Sequence, residues 1–206
     1  MGGRPDPLVS VLGERYAQVK SVFRFPGYNK KTCVTGFEGG TYCPHDLAIL
    51  ELLIPVFEYL IVENSFYANT IAVSYINVSS TSPKPGQHGR VSGFGAVSIG
   101  NKKSRRLRMM SGPIGTCVVN TDRQQKLKKL HGAESPAHIC VPLDAHPGDS
   151  GGALVIWDTE FRPVLAGVLS VSDGTTSFFM DLTRYCNVIQ EVLMSKFGLH
   201  FSCVSL

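Results

Sequence analysis

The strongest constraint on this chain is a succession of short apolar runs, each cut off by Gly, Pro, Ser or Asn clusters. Successive side chains on a strand face opposite sides, so runs of this kind bury one face and read as β-structure. Candidate strands cover residues 18–25, 47–52, 71–78, 90–97, 107–114, 137–141, 153–157, 164–171 and 178–182. Turn clusters at 79–89, 101–106 and 144–148 separate several of them. Without helices in between, this spacing predicts an all-β barrel or sandwich. Only the end departs from it. Thr183 is a candidate N-cap, and Val188, Ile189, Val192, Leu193 and Phe197 form one apolar stripe ahead of Gly198, which predicts a C-terminal α-helix. The Ser/Pro/Gly stretch 79–89 is the candidate linker between two halves.

Composition narrows the function classes. With 206 residues, 43% hydrophobic and 17% charged, the chain can bury a substantial core and is neither disordered nor fibrous. A net charge of +4 is too mild for a dedicated nucleic-acid binder. No apolar run reaches the length of a membrane span, and the start, Met1-Gly2-Gly3-Arg4-Pro5-Asp6-Pro7, does not read as a signal peptide. The six cysteines contain no Cys-x-x-Cys pair and so do not suggest a zinc site; they fall into three local pairs, Cys33/Cys43, Cys117/Cys140 and Cys186/Cys203. Disulfides imply an oxidising compartment, which a chain without a leader should not reach. The conflict predicts a missing beginning. Asn77-Val78-Ser79 fits the N-glycosylation pattern, although a Ser/Thr-rich stretch produces such matches by chance. Lys102, Lys103, Arg105, Arg106 and Arg108 crowd one loop, and Lys126, Lys128 and Lys129 another. A polyanion would suit either by counterion release, but no aromatics interleave, so a solvated loop is the preferred reading. No metal or other cofactor is expected.

Gly148-Asp149-Ser150-Gly151-Gly152 is the most informative segment. A serine hydroxyl is a poor nucleophile unless its loop presents it to a base and surrounds the developing oxyanion with donors. Flanking glycines allow a tight turn, and the N–H groups of Gly148 and Ser150 are candidates for that oxyanion hole. An apolar strand, Ala153-Leu154-Val155-Ile156-Trp157, follows at once, so this is not an ordinary surface turn.

At this point the chain resembles the trypsin/chymotrypsin family of serine proteases. Val22-Phe23-Arg24-Phe25-Pro26-Gly27-Tyr28-Asn29 resembles the strand and turn leading to the family's catalytic aspartate, and His45-Asp46-Leu47-Ala48-Ile49-Leu50-Glu51-Leu52 resembles the aspartate strand. Val91-Ser92-Gly93-Phe94-Gly95 looks like the Gly-Trp-Gly strand of the second barrel, and Phe178-Phe179-Met180-Asp181-Leu182 like the last strand. The likeness runs in order from about residue 12 to residue 197. It implies two six-stranded antiparallel Greek-key barrels, the N-terminal one incomplete, with a terminal helix. The implied division is 1–82 for the partial first barrel and 83–206 for the second. Carried over, Ser150 is the nucleophile and Asp46 the carboxylate that orients the base. Asp144 would receive a substrate Arg or Lys, and Ser170, Val171 and Ser172 would form the edge that pairs with substrate backbone. Cys117 and Cys140 would form a disulfide near the specificity pocket. The pairing of the other four cysteines stays open. The implied partner is a polypeptide, with no nucleic acid or membrane, and the implied location is extracellular.

The resemblance also predicts where function fails. The family's order is His, Asp, Ser, with the first two about 45 residues apart; counting back from Asp46 reaches the start of the chain, and no histidine precedes His45. His45 and Asp46 are adjacent on a strand and should face opposite sides. His146 stands in the position of a family cysteine, with Thr175 near the place of that cysteine's partner, and Ser172 and Ser177 replace pocket glycines. His88, His131, His138 and His200 have no family role. Asp149 would be buried without the family's N-terminal ammonium group, a costly state that predicts a disordered loop. The expectation is therefore a trypsin-like endopeptidase chain that is inactive or a fragment, or a non-catalytic homologue acting as a binding module.

Overall fold

The computed structural model describes residues 18–37, 40–53, 75–98, 104, 106–117, 138–172 and 174–206. Among the described residues eleven strands follow in chain order: β1 (Val19–Arg24), β2 (Val34–Phe37), β3 (Gly40–Tyr42), β4 (Ala48–Leu52), β5 (Asn77–Val78), β6 (His88–Gly93), β7 (Arg108–Pro113), β8 (His138–Val141), β9 (Ala153–Trp157), β10 (Pro163–Ser172) and β11 (Ser177–Asp181). An α-helix, α1 (Cys186–Phe197), comes last. The architecture is all-β with one C-terminal helix. The chain forms two compact units, one of residues 1–24 and 48–75, the other of 25–47 and 76–206.

In the first unit β1 and β4 pair antiparallel, Phe23 opposite Ile49. Lys20 Nζ and Ser21 Oγ both donate to the Glu51 carboxylate, at 2.6 and 2.7 Å, and these bonds hold its pKa below the ordinary value. Val22 and Leu50 remain more than half exposed. Of the candidate strand at 71–78, positions 71–74 lie outside the described residues, and 77–78 form β5 in the other unit.

In the second unit one sheet runs in the order β7-β6-β9-β10-β11-β8, with β5 joining β10 in parallel. A bridge from Gly115 to Cys140 links the segment after β7 to β8, so the sheet curls back on itself as a barrel does. The parallel β5 departs from the expected antiparallel pattern. Its backbone continues to Ser79, which pairs with Val204 of the C-terminal tail. The core follows strand alternation: on β9, Leu154 and Ile156 are fully buried while Val155 and Trp157 are partly exposed. Arg90 lies over the outer face of Trp157, 4.7 Å from the ring centroid. Phe179, Val141, Val164 and Ala166 complete a fully buried centre, against which Leu143, Val204 and Leu206 pack. Burial on this scale, at about 1.5–3 kcal/mol per large side chain, dominates the unit's stability.

Three disulfides close within this unit: Cys33–Cys43, Cys117–Cys140 and Cys186–Cys203. The second joins the cysteines paired by resemblance, and the others supply the pairings left open. The helix starts later than expected. Asp181, not Thr183, provides the cap: its carboxylate accepts from the Thr183 N–H at 3.1 Å and the Thr183 hydroxyl at 2.7 Å, fixing a 3-10 turn over Leu182–Tyr185 before α1. Ile189 and Val192 are the buried part of the anticipated stripe. Among the described residues no helix is long and apolar enough to cross a membrane.

Candidate functional site

The Ser150 loop is built by backbone hydrogen bonds and two glycines in the left-handed region. Gly148 has φ 105° and Gly151 φ 85°, conformations that a residue with a Cβ adopts only under strain. Asp149 N–H donates to the His146 carbonyl at 3.0 Å, and Gly152 N–H to the Asp149 carbonyl at 2.9 Å, which closes two turns around the serine. The loop is then fastened to β10: Gly151 N–H donates to the Leu169 carbonyl at 2.8 Å, and Leu169 N–H to the Gly152 carbonyl at 2.9 Å. Ser150 stands exposed at the crest. Among the described residues the N–H groups of Gly148 and Ser150 have no acceptor. Both are therefore free to donate to a ligand oxygen.

The next residue of β10 reaches the second carboxylate of interest. Ser170 is buried, and its hydroxyl donates to Asp46 Oδ2 at 2.8 Å. Residues 169 and 170 thus hold the Ser150 loop by backbone and Asp46 by side chain. The sequence stands these groups more than a hundred positions apart; one strand brings them together. Asp46 is half-buried, and its chain is turned by Leu47 N–H donating to the His45 carbonyl at 2.7 Å.

His45 faces elsewhere. It has φ 51°, and its Nδ1 lies 3.1 Å from the Tyr185 hydroxyl, with the two rings edge to face. Phe25 stacks edge-on to Tyr185 at 5.4 Å. Burial of Tyr185 pushes its phenol up to about 12. Tyr185 thus keeps its proton over the working range of most proteins, and its hydroxyl shares a hydrogen bond with His45 Nδ1. Of the other histidines, His88 and His200 are exposed, and His131 lies outside the described residues, as do Lys102, Lys103, Arg105 and the lysines at 126–129.

The sequence model of the trypsin family matches residues 3–189. This chain belongs to the trypsin family. The match covers every segment described above apart from most of α1 and the tail.

The environment of Asp149 differs from the disordered loop expected above. The carboxylate accepts from Gly95 N–H at 2.7 Å and from His146 N–H at 3.1 Å. Among the described residues no cationic side chain pairs with it; backbone dipoles take that role. Gly93 and Gly95 make this possible, because a Cβ on either would collide with the Asp149 carboxylate. The group opens onto a cavity of about 260 Å³ lined by Ser92, Gly95, Arg108, Met109, Asp144 and His146 among others.

Asp144 is partly exposed, and its Oδ2 lies 3.5 Å from Nε2 of the largely buried His146. Its position is set by Ser177, which is fully buried: the Ser177 hydroxyl donates to the Leu143 carbonyl at 2.6 Å and accepts from Ala145 N–H at 3.1 Å. Ser177 therefore clamps both neighbours of Asp144. Ser172 donates to the Thr176 carbonyl at 3.2 Å and accepts from Gly174 N–H at 3.3 Å, bracing the turn between β10 and β11. Sequence reasoning missed these clamping roles and the Ser170–Asp46 bond. A buried serine on an apolar strand was the only available signal. Among the described residues no cluster of three or more His, Cys, Asp or Glu could hold a metal ion.

Proposed function

We propose that this member of the trypsin family carries the nucleophile half of a serine endopeptidase site, with Ser150 as nucleophile and Asp46 as the carboxylate that orients an imidazole base. Gly148 and Ser150 N–H form the oxyanion hole, Asp144 receives a basic substrate side chain, and Ser170 and Ser172 mark the strand edge for substrate backbone. The observation that carries this reading is β10, whose Leu169 and Ser170 fasten the Ser150 loop and Asp46 respectively. The two free N–H groups beside Ser150 support it further. The division into a partial first barrel, 1–82, and a second barrel, 83–206, belongs to the same proposal, as does an extracellular location, which the three closed disulfides favour.

The base is what these 206 residues do not supply: no histidine precedes His45, and His45 is engaged with Tyr185. Loss of the base costs on the order of a millionfold in turnover, about 8 kcal/mol of transition-state stabilisation. The chain by itself is therefore silent as a peptidase. A second reading, a non-catalytic homologue that binds polypeptide through the same face, is favoured by the same engagement of His45.

An ester of Arg or Lys tests both. The chain alone should hydrolyse it no faster than Ser150→Ala, and faster cleavage would refute the silence. Added free imidazole should then raise hydrolysis in the chain but not in Ser150→Ala. No rise at any imidazole concentration would remove the nucleophile assignment and leave the binding module.

A further inference from the structure

His146 and Asp144 both line the cavity onto which Asp149 opens, with Nε2 and Oδ2 3.5 Å apart. We infer that His146 determines specificity by competing with the substrate's cation for Asp144, so that recognition of a basic side chain strengthens as pH rises. The inference rests on the proposed role of Asp144 as the carboxylate that receives that cation.

The geometry supplies the competition. His146 is only 15% exposed at its side chain, so it cannot swing freely into solvent, and its backbone N–H is held by Asp149 at 3.1 Å. The ring is therefore kept beside Asp144, whose own side chain is 42% exposed and open to a ligand. An imidazole gains its proton between about pH 8 and pH 5. The protonated ring places a cation against the carboxylate that a guanidinium or amidinium would otherwise approach, and the neutral ring does not. Among the described residues the other charged groups lining this cavity are the Asp149 carboxylate, from the same loop, and Arg108 of β7. No serine or threonine in place of His146 could produce this effect, and neither could a cysteine held in a disulfide.

The test is benzamidine binding to the full oxidised chain by titration calorimetry at pH 5.5 and pH 8.0, in one buffer system of constant ionic strength. For a partly exposed ion pair, wild-type affinity should rise roughly twofold to fivefold between the two. His146→Gln should bind at pH 5.5 nearly as well as at pH 8.0. Asp144→Asn should bind at neither. A flat wild-type profile overturns the inference, and so does an unchanged pH slope in His146→Gln. If His146→Gln fails to fold, His146→Asn stands in for it, and the wild-type slope remains decisive. Wild-type chain that binds no benzamidine at either pH overturns the prior assignment of Asp144, an outcome distinct from binding that ignores pH.

Discussion

Replacing Asp149 by alanine tests whether two backbone donors substitute for a cation. The carboxylate accepts from Gly95 N–H at 2.7 Å and His146 N–H at 3.1 Å. Removing it leaves one buried and one half-buried N–H without an acceptor, each worth about 1–3 kcal/mol. Relief of a carboxylate held without a counter-cation offsets part of that loss. The balance is a net destabilisation of about 2 kcal/mol, or roughly 4–8 °C in Tm for a chain of this size. Gly95→Ala should do similar damage by another route, since its new Cβ occupies the space of the carboxylate. In the Asp149→Ala background that clash is gone and one donor is already orphaned, so Gly95→Ala should then cost little. The expected coupling is about 1–2 kcal/mol. Equilibrium urea unfolding of the four proteins measures it, and hydrogen exchange at the Gly95 and His146 amides reports locally. An Asp149→Ala loss under about 0.5 kcal/mol, or strict additivity in the cycle, would falsify the argument.

Tyr185 and the C-terminal tail give two further predictions. Burial pushes the Tyr185 phenol up to about 12, whereas an unfolded tyrosine ionises near 10. The folded state thus keeps a proton that the unfolded chain releases, and stability present below pH 10 should be lost as pH rises towards 12. Tyr185→Phe should abolish that alkaline loss; a Tyr185 that ionises near 10, read as the difference between wild-type and Tyr185→Phe ultraviolet titrations, would contradict the burial account. Replacing Cys186 and Cys203 together by serine opens a loop of sequence separation 17 and should cost about 3 kcal/mol in urea unfolding. It should also free Val204 and Leu206 from the core, seen as faster exchange of the Val204 amide, which donates to the Val78 carbonyl; protection equal to wild type would show that the bridge does not hold the tail.

What could be read from the sequence was local. Alternation located β9 at its observed bounds, because Leu154 and Ile156 face a core while their neighbours do not. The hairpin of β2 and β3 escaped notice: its strands are four and three residues long, with Gly36 and Gly40 among them, so neither period nor propensity accumulates. Its ends are drawn together by Cys33–Cys43, a constraint of pairing and not of local preference. The same limit explains the helix start. Thr183 satisfies the capping pattern, but Asp181 two residues earlier satisfies it better once β11 delivers its carboxylate to the Thr183 N–H.

The site divides along the same line. The Gly148–Gly152 turn was legible because its chemistry is contiguous: positive φ at Gly148 and Gly151, an exposed hydroxyl, and N–H groups without an acceptor among the described residues all belong to one short stretch. Ser170 and Asp46 stand 124 residues apart, and nothing in either neighbourhood states that they meet. A hydroxyl on an otherwise apolar strand must still find an acceptor, because burying it unpaired costs about 1–3 kcal/mol. That obligation is a usable signal. Ser170 and Ser177 are the two buried serines of β10 and β11, and each gives its hydroxyl to a residue of the candidate site or its immediate neighbour. On β10 and β11 these two serines sit where the core opens to hold loops that carry charge.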